Sequence, residues 1–148
     1  MKSKLFQAIK FLKITIFVAV FLMMVSLPVG KADASTWTNV NSWPHGGINH
    51  IRALTTGTDG QIWAAGDNGY TARWNGTSWV NTGQWPHGSN VIYALTTGTD
   101  GQIWAAGAYG YTARWNGTSW VSTGQWTGGS NGISALTTGT DGQIWAAG

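Results

Sequence analysis

A nearly identical internal repeat constrains this chain more than any other feature. Three copies of the segment Ala-Leu-Thr-Thr-Gly-Thr-Asp-Gly-Gln-Ile-Trp-Ala-Ala-Gly recur every 41 residues, beginning at Ala53, Ala94 and Ala135. Residues 53–84 and 94–125 differ at only three positions, which are Asp67/Ala108, Asn68/Tyr109 and Asn81/Ser122. A period of about 20–50 residues indicates similar units stacked against one another, because one unit alone cannot bury its apolar face.

Within each unit the residue pattern favours strands over helices. Apolar residues do not recur at the spacing of about 3.6 that a helix needs, whereas Thr, Trp, Tyr and Ile are frequent and Gly interrupts the chain regularly. Asp-Gly and Asn-Gly pairs tolerate the positive φ of tight hairpin turns. The first unit is therefore predicted to contain four strands, at residues 51–56, 61–65, 70–74 and 79–82.

Four short antiparallel strands in about 40 residues are typical of one blade of a β-propeller. We predict an all-β fold, a partial β-propeller of about 2.8 blades over residues 35–148, with units near 53, 94 and 135 that are incomplete at both ends. Known propellers have about 4–8 blades, so one chain is not expected to close a ring. Open strand edges at both ends predict self-association with another copy.

The first 34 residues have the features of a secretory signal peptide. Four lysines between positions 2 and 13 precede an apolar run, and Ala32-Asp33-Ala34 fits the small-x-small pattern of a cleavage site. The apolar run is shorter than the ~20 residues that span a membrane, and the chain has no Cys to carry a lipid anchor. We expect cleavage after Ala34, no stable membrane span, and a secreted or cell-surface protein.

The charge distribution excludes several function classes. The basic excess lies in the leader, and the remainder carries three arginines and four aspartates, Arg52, Arg73, Arg114, Asp59, Asp67, Asp100 and Asp141. An electrostatic nucleic-acid surface is therefore excluded. Three of the aspartates occupy equivalent Asp-Gly turns and are predicted to bond their own turn backbone. Without paired acids, Cys or metal-ligand spacing, we expect no enzymatic activity, no cofactor and no metal.

Residues 62–79, Ile-Trp-Ala-Ala-Gly-Asp-Asn-Gly-Tyr-Thr-Ala-Arg-Trp-Asn-Gly-Thr-Ser-Trp, resemble the blades of bacterial extracellular β-propeller repeat proteins, which have the pattern W-A-V-G-x-x-G followed by W-N-G-T-S-W. The turn at residues 58–63 is similar to an Asp-box that lacks the usual residue between Asp and Gly. The layout is more distantly similar to tachylectin and tectonin lectins. That resemblance implies a sugar-binding class, and it transfers no site to this chain.

Each full unit contains four tryptophans and few Leu or Ile residues, so it depends on tryptophan for apolar area. Burial of one aromatic side chain stabilises a fold by roughly 4–6 kcal/mol before ordering costs. We predict that Trp63 lies in the core and that Trp74 and Trp79 face each other across a hairpin.

The linkers between units carry the candidate site. Trp85-Pro86-His87 precedes Asn90, and the earlier linker repeats the Trp-Pro-His motif. Loops on a rigid scaffold commonly carry binding, and an exposed Trp can stack on the C–H face of a sugar. The predicted ligand-binding residues are Trp43, His45, Trp85, His87, Asn90 and Trp126. The alternative is that Trp85 fills the gap between neighbouring blades.

Three functions remain open from the sequence. The first is a secreted, non-enzymatic propeller module that binds a glycan or another surface ligand. The second is a structural or interaction repeat of a larger cell-surface protein. The third is a truncated gene fragment without its own activity.

Overall fold

The chain folds into short antiparallel strands grouped in three sheets that follow one another along the sequence. The computed structural model describes residues 43–46, 49–128 and 130–148, which belong to one compact unit, Asn39–Gly148. The predicted signal peptide and its cleavage site lie outside the described residues. So do residues 36–40, whose sequence matches that of the fourth strand of a unit.

The first two sheets each contain four strands in chain order. The first blade comprises β1 (Ile51–Thr56), β2 (Ile62–Gly66), β3 (Tyr70–Trp74) and β4 (Trp79–Gln84). The second comprises β5 (Ile92–Thr97), β6 (Ile103–Gly107), β7 (Tyr111–Trp115) and β8 (Trp120–Gln125). A half-blade follows, with β9 (Ala135–Thr138) and β10 (Ile144–Ala147). The four predicted strands of the first unit are confirmed, with small differences at their ends.

The turn chemistry predicted from the Asp-Gly pairs is also confirmed. Asp59 Oδ1 accepts a hydrogen bond from the backbone N–H of Gln61 at 3.0 Å, and Gly60 between them has φ +77°. The same bond occurs at the equivalent turns of the second blade and the half-blade. These carboxylates stabilise their own hairpins.

The first strands of successive blades lie side by side along an inner edge. Thr97 Oγ1 donates to the Thr56 carbonyl oxygen at 2.7 Å, and Thr138 Oγ1 donates to the Thr97 carbonyl oxygen at 2.7 Å. The hydroxyls of Thr55 and Thr97 also approach to 3.2 Å. A repeated threonine therefore joins each blade to the next at the same place.

The core lies between the faces of the two complete blades. Trp63 is only 3% exposed, and its ring packs 5.3 Å from Trp115 and 6.2 Å from Trp120, measured between ring centroids. Trp120 Nε1 donates to Thr71 Oγ1 of the first blade at 2.9 Å. The prediction that Trp63 is a core residue is confirmed. The first blade thus buries its second strand against the third and fourth strands of the second blade.

The predicted tryptophan pair across the third and fourth strands is confirmed. Trp74 and Trp79 are register partners, with ring centroids 5.7 Å apart at 66°. Trp115 and Trp120 repeat the arrangement at 5.8 Å and 67°. Edge-to-face geometry of this kind stabilises a hairpin beyond the area that it buries.

No helix in the described segments has both the length and the apolar character that a membrane crossing requires.

Candidate ligand site between the second blade and the half-blade

Trp85, the centre of the predicted site, is a packing residue. It is only 2% exposed and belongs to the core cluster shared by the two complete blades. Its backbone N–H donates to the Gly69 carbonyl oxygen at 3.0 Å. A Cβ on Gly69 would lie 2.5 Å from Trp85 Cδ1, so only glycine fits beneath this ring. The prediction that Trp85 stacks on a ligand is therefore wrong, because its faces are covered, and the alternative of a plug between blades describes its environment.

The two linker histidines tie each linker to the following blade. His45 stacks on Tyr70 with centroids 4.2 Å apart, and His87 stacks on Tyr111 at 4.3 Å. His87 Nε2 donates to the Thr112 carbonyl oxygen at 3.1 Å, and His45 makes the matching contact with the first blade. Both rings are half-buried. Their ring faces and Nε2 atoms are occupied by the protein itself.

The other two predicted tryptophans are half-buried at separate places. Trp43 packs edge-to-face against Trp79 with centroids 5.9 Å apart. Trp126 lines an apolar cavity of about 300 Å³ together with Trp104, Ile133 and Leu136. The predicted residues therefore do not form one site. Trp85, His87 and Asn90 lie close to one another, whereas Trp43 and His45 form a separate pair with ring centroids 5.1 Å apart.

Asn90 lines a different cavity, which sequence reasoning did not find. The cavity has a volume of about 420 Å³ and lies between the second blade and the half-blade. Two tyrosines are its largest lining side chains, with Tyr93 39% and Tyr109 55% exposed. The remaining lining residues are small or polar: Ser89, Asn90, Val91, Ala108, Ser130 and Gly132. We call this the tyrosine cavity.

Local backbone irregularities place both tyrosines at the cavity. Tyr93 lies where the register of β5 with β6 shifts between Ile92 and Ala94, and such a bulge re-aims a side chain. Tyr109 lies in the turn between β6 and β7 with φ +58°, a left-handed conformation that a bulky residue rarely adopts. Backbone strain of this kind is concentrated at functional sites.

The first blade fills the equivalent space with its own polar side chains. Arg52 Nε donates to Asp67 Oδ1 at 2.8 Å, and the backbone N–H of His50 donates to Asp67 Oδ2 at 2.9 Å. These two hydrogen bonds, the Arg52 bond first, hold the pKa of the Asp67 carboxyl far below its ordinary range. In the second blade Tyr93 and Ala108 replace Arg52 and Asp67, so the ion pair is lost and the cavity opens.

The side-chain oxygen of Asn90 accepts no hydrogen bond from the described residues, whereas that of Asn49, the equivalent residue before the first blade, accepts one. Asn49 donates to the His45 carbonyl oxygen and accepts from Asn68 Nδ2 at 2.6 Å. Asn90 donates to the His87 carbonyl oxygen at 2.9 Å, but Tyr109 stands where the Asn68 amide would be. Asn90 Oδ1 therefore receives no donor from the described residues and can accept a hydrogen bond from a ligand.

The chemistry of the tyrosine cavity is that of a neutral, hydroxyl-bearing ligand. Aromatic faces pack against C–H groups, while the phenol, amide and serine groups exchange hydrogen bonds with hydroxyls. Its lining carries no charge. In the part of the chain that the structure describes, no cluster of three or more His, Cys, Asp or Glu residues is arranged to hold a metal ion.

One sequence signal could have indicated this cavity. Two of the three differences between residues 53–84 and 94–125 are Asp67/Ala108 and Asn68/Tyr109. Where units are otherwise identical, a divergent position is free of the packing that the repeat requires. A third difference at this cavity, Arg52/Tyr93, lies just outside the compared segment and supports the same inference.

Comparison with known proteins addresses the fold. A catalytically inactive variant of virginiamycin B lyase from Staphylococcus aureus, solved with quinupristin, matches with a TM-score of 0.59 and 18% identity, covering 66% of this chain and 34% of that one. YCF48 bound to a D1 peptide matches with a TM-score of 0.58 and 19% identity, covering 77% of this chain and 38% of that one. Both are β-propeller-type proteins.

The chain is a partial β-propeller. It spans less than two fifths of the length of either structure, and at these identities the likeness extends to the fold alone. No protein-family model matches the sequence, and no curated protein matches it. The resemblance to bacterial extracellular repeat proteins and to lectins stays a prediction.

Proposed function

We propose that this chain is a secreted, non-enzymatic β-propeller module that binds a neutral glycan in the tyrosine cavity. The observation that supports the proposal is the pair of exposed aromatic rings, Tyr93 and Tyr109, around a cavity of about 420 Å³. This volume falls within the range of small-ligand sites. Nothing in the packing of the repeat requires these rings, because the first blade has Arg52 and Asn68 in their places.

The polar groups of the cavity also support a glycan. A sugar presents apolar C–H faces and a rim of hydroxyls, which suits aromatic rings flanked by Asn90, Ser89 and Ser130. The uncharged lining neither attracts nor repels an ionic group strongly, so neutral hydroxyls are the best partners for the free Asn90 Oδ1. Binding on a preformed propeller face needs little ordering of the protein.

The second candidate is an interaction module of a cell-surface protein. Its support is the exposure of two large apolar side chains on opposite outer faces, Leu54 at 58% and Trp145 at 59%. One structural neighbour of this chain was solved with a peptide bound. Exposed apolar residues on a blade face suit a protein partner, including a second copy of this chain.

A binding assay with matched variants tests the glycan proposal. Residues 35–148 are screened on a glycan array, and each hit is titrated by calorimetry against Tyr109→Ala, Tyr93→Ala and the control Asn68→Ala. Asn68 occupies the position of Tyr109 in the first blade. We expect each tyrosine variant to weaken binding by about tenfold, since one lost aromatic contact amounts to roughly 1–1.5 kcal/mol, and the control to bind normally. Equal loss in all three variants, or no glycan binding at all, contradicts the proposal.

Secretion is tested separately. Amino-terminal sequencing of protein recovered from the culture medium is expected to begin at Ser35. Recovery of chains that retain Met1 in a membrane fraction contradicts a cleaved signal.

A further inference from the structure

A second groove lies on the opposite face of the molecule from the tyrosine cavity. It runs between the first and second blades, where the turns joining β1 to β2 and β7 to β8 come together. Two cavities form it, an inner one of about 210 Å³ and an outer one of about 380 Å³. They share three lining residues, Arg73, Trp115 and Gly117.

Arg73, at the junction of the two cavities, has unused bonding capacity. It lies on β3, between its register partners Trp63 on β2 and Val80 on β4. Its Nε is buried and finds no acceptor among the described residues. The two ion pairs among the described residues both involve Asp67, so no carboxylate of those residues lies within bonding distance of Arg73. A buried donor of a charged group without an acceptor is destabilising, and such an atom needs an explanation.

We propose that this groove, the Arg73 groove, binds the carboxylate of an acidic sugar such as a uronate. The planar guanidinium offers a fork of N–H donors that matches a carboxylate. Trp115 is half-buried beside it and presents a ring for the sugar to pack against. Asn81, Thr82 and Thr118 line the outer cavity and supply hydrogen-bonding groups for hydroxyls.

The position of Asp59 decides where the carboxylate lies. Asp59 lines the inner cavity and is absent from the lining of the outer one. A second carboxylate beside Asp59 would be repelled. The acidic group of the ligand is therefore expected on the outer side of Arg73, near Asn81 and Thr118, with the neutral part of the sugar extending along Trp115.

The test compares a charged and a neutral ligand on the secreted chain, residues 35–148. Trigalacturonate and galactotriose are titrated by calorimetry at about 50 mM and about 300 mM salt. We expect the uronate to bind about tenfold more tightly at low salt, the value of one charge-assisted hydrogen bond, and to lose most of that advantage at high salt. Arg73→Gln is expected to remove the difference between the two sugars.

Three further variants make the outcome specific. Arg114→Gln alters the matching arginine of the second blade and should bind uronate normally. Tyr109→Ala should also bind normally, which separates this groove from the tyrosine cavity. Asp59→Asn keeps an oxygen that can accept the turn hydrogen bond from Gln61 and should bind uronate more tightly, because a repelling charge is removed.

Far-ultraviolet circular dichroism and tryptophan fluorescence confirm that each variant is folded. The proposal is overturned if the wild type does not distinguish uronate from neutral sugar, or if folded Arg73→Gln binds uronate as the wild type does. Binding of an acidic peptide in the absence of uronate binding also overturns it, because the groove would then recognise a protein. Loss of glycan binding in Tyr109→Ala alone leaves this result unchanged and bears only on the tyrosine cavity.

Discussion

At the scale of single residues, three equivalent pairs separate the blades. In the first blade Arg52 and Asp67 form an ion pair, and Asn68 donates to Asn49 of the linker. Tyr93, Ala108 and Tyr109 stand at the same places in the second blade. Asn is one of the few residues that tolerate the left-handed conformation, and Tyr is not. The second blade thus carries backbone strain that the first blade avoids.

Tyr109→Asn therefore should raise stability and lower binding together. Asn relaxes the backbone at φ +58° and can donate to the free Asn90 Oδ1, as Asn68 does to Asn49. We expect a gain of about 1 kcal/mol in the free energy of unfolding and loss of glycan binding. Urea denaturation and calorimetry measure the two quantities. A less stable variant would show that Tyr109 serves the fold rather than a ligand.

Asp67 is expected to make the first blade sensitive to acid. Hydrogen bonds from Arg52 and from the His50 backbone lower the pKa of Asp67 in the folded chain, while the pKa of an aspartate in an unfolded chain is about 3.9. Its stabilising contribution is therefore present above about pH 4 and is lost as the pH falls through the lower, folded pKa. Urea midpoints at pH 7 and about pH 2.5 should differ less for Asp67→Asn than for the wild type. If the two urea midpoints differ as much in Asp67→Asn as in the wild type, the acid sensitivity comes from the other aspartates.

At the scale of elements, the linker between β4 and β5 acts as a clamp. Trp85 anchors it to the first blade through Gly69, while His87 anchors it to the second through Tyr111 and Thr112. The sequence predicts that the Trp-Pro-His motif belongs to a ligand-binding loop, but in the structure this motif fixes one blade against the next.

Trp85→Ala is expected to destabilise the fold by roughly 3–5 kcal/mol, the usual loss for a buried Trp. Trp126→Ala removes the equivalent, half-buried residue and should have a smaller effect. Thermal denaturation followed by tryptophan fluorescence compares the two. If Trp85→Ala melts like the wild type yet fails to bind glycan, Trp85 contributes to ligand binding rather than to packing between the blades.

At the scale of the whole molecule, the same tryptophan of successive units is buried less and less by the unit that follows it. Trp63 is 3% exposed against the second blade, Trp104 is half-buried against the half-blade, and Trp145 is 59% exposed. Leu54 at 58% and its counterpart Leu95 at 8% show the same contrast on the opposite face. The exposed face with Trp145 and the exposed face with Leu54 carry the residue types that pack together between blades inside the molecule. The Trp145 face of one copy can therefore pack against the Leu54 face of another.

Residues 35–148 should consequently self-associate head to tail, into a heterogeneous set of oligomers, because such contacts propagate unless the rotation closes a ring. Sedimentation velocity should show a coefficient that rises with concentration. Trp145→Ser and Leu54→Ser should each reduce the rise, and Tyr109→Ala should not. A single folded monomer at every concentration would show that the open faces need no partner.

The amino-acid sequence by itself determined the repeat, the four strands of each unit, the Asp-Gly turns, the core position of Trp63 and the pairing of Trp74 with Trp79. These features are local or periodic, so the order of residue types carries them directly. The sequence also included Asn90 among its candidates, although for a site centred on Trp85.

Only the tertiary structure decided which aromatic side chains are covered. Trp85 and Tyr109 are both large aromatics in connecting segments, and the residues next to each do not show which one is covered. Only the comparison between repeats marks Tyr109 as a divergent position. Trp85 is buried because Gly69, in the turn between β2 and β3 and without a Cβ, leaves room for its ring, and because the ring joins the core cluster shared with the second blade. Tyr109 is 55% exposed, in a turn where its backbone takes the left-handed conformation with φ +58°. Exposure depends on contacts between distant units, and those contacts exist only once the blades have packed.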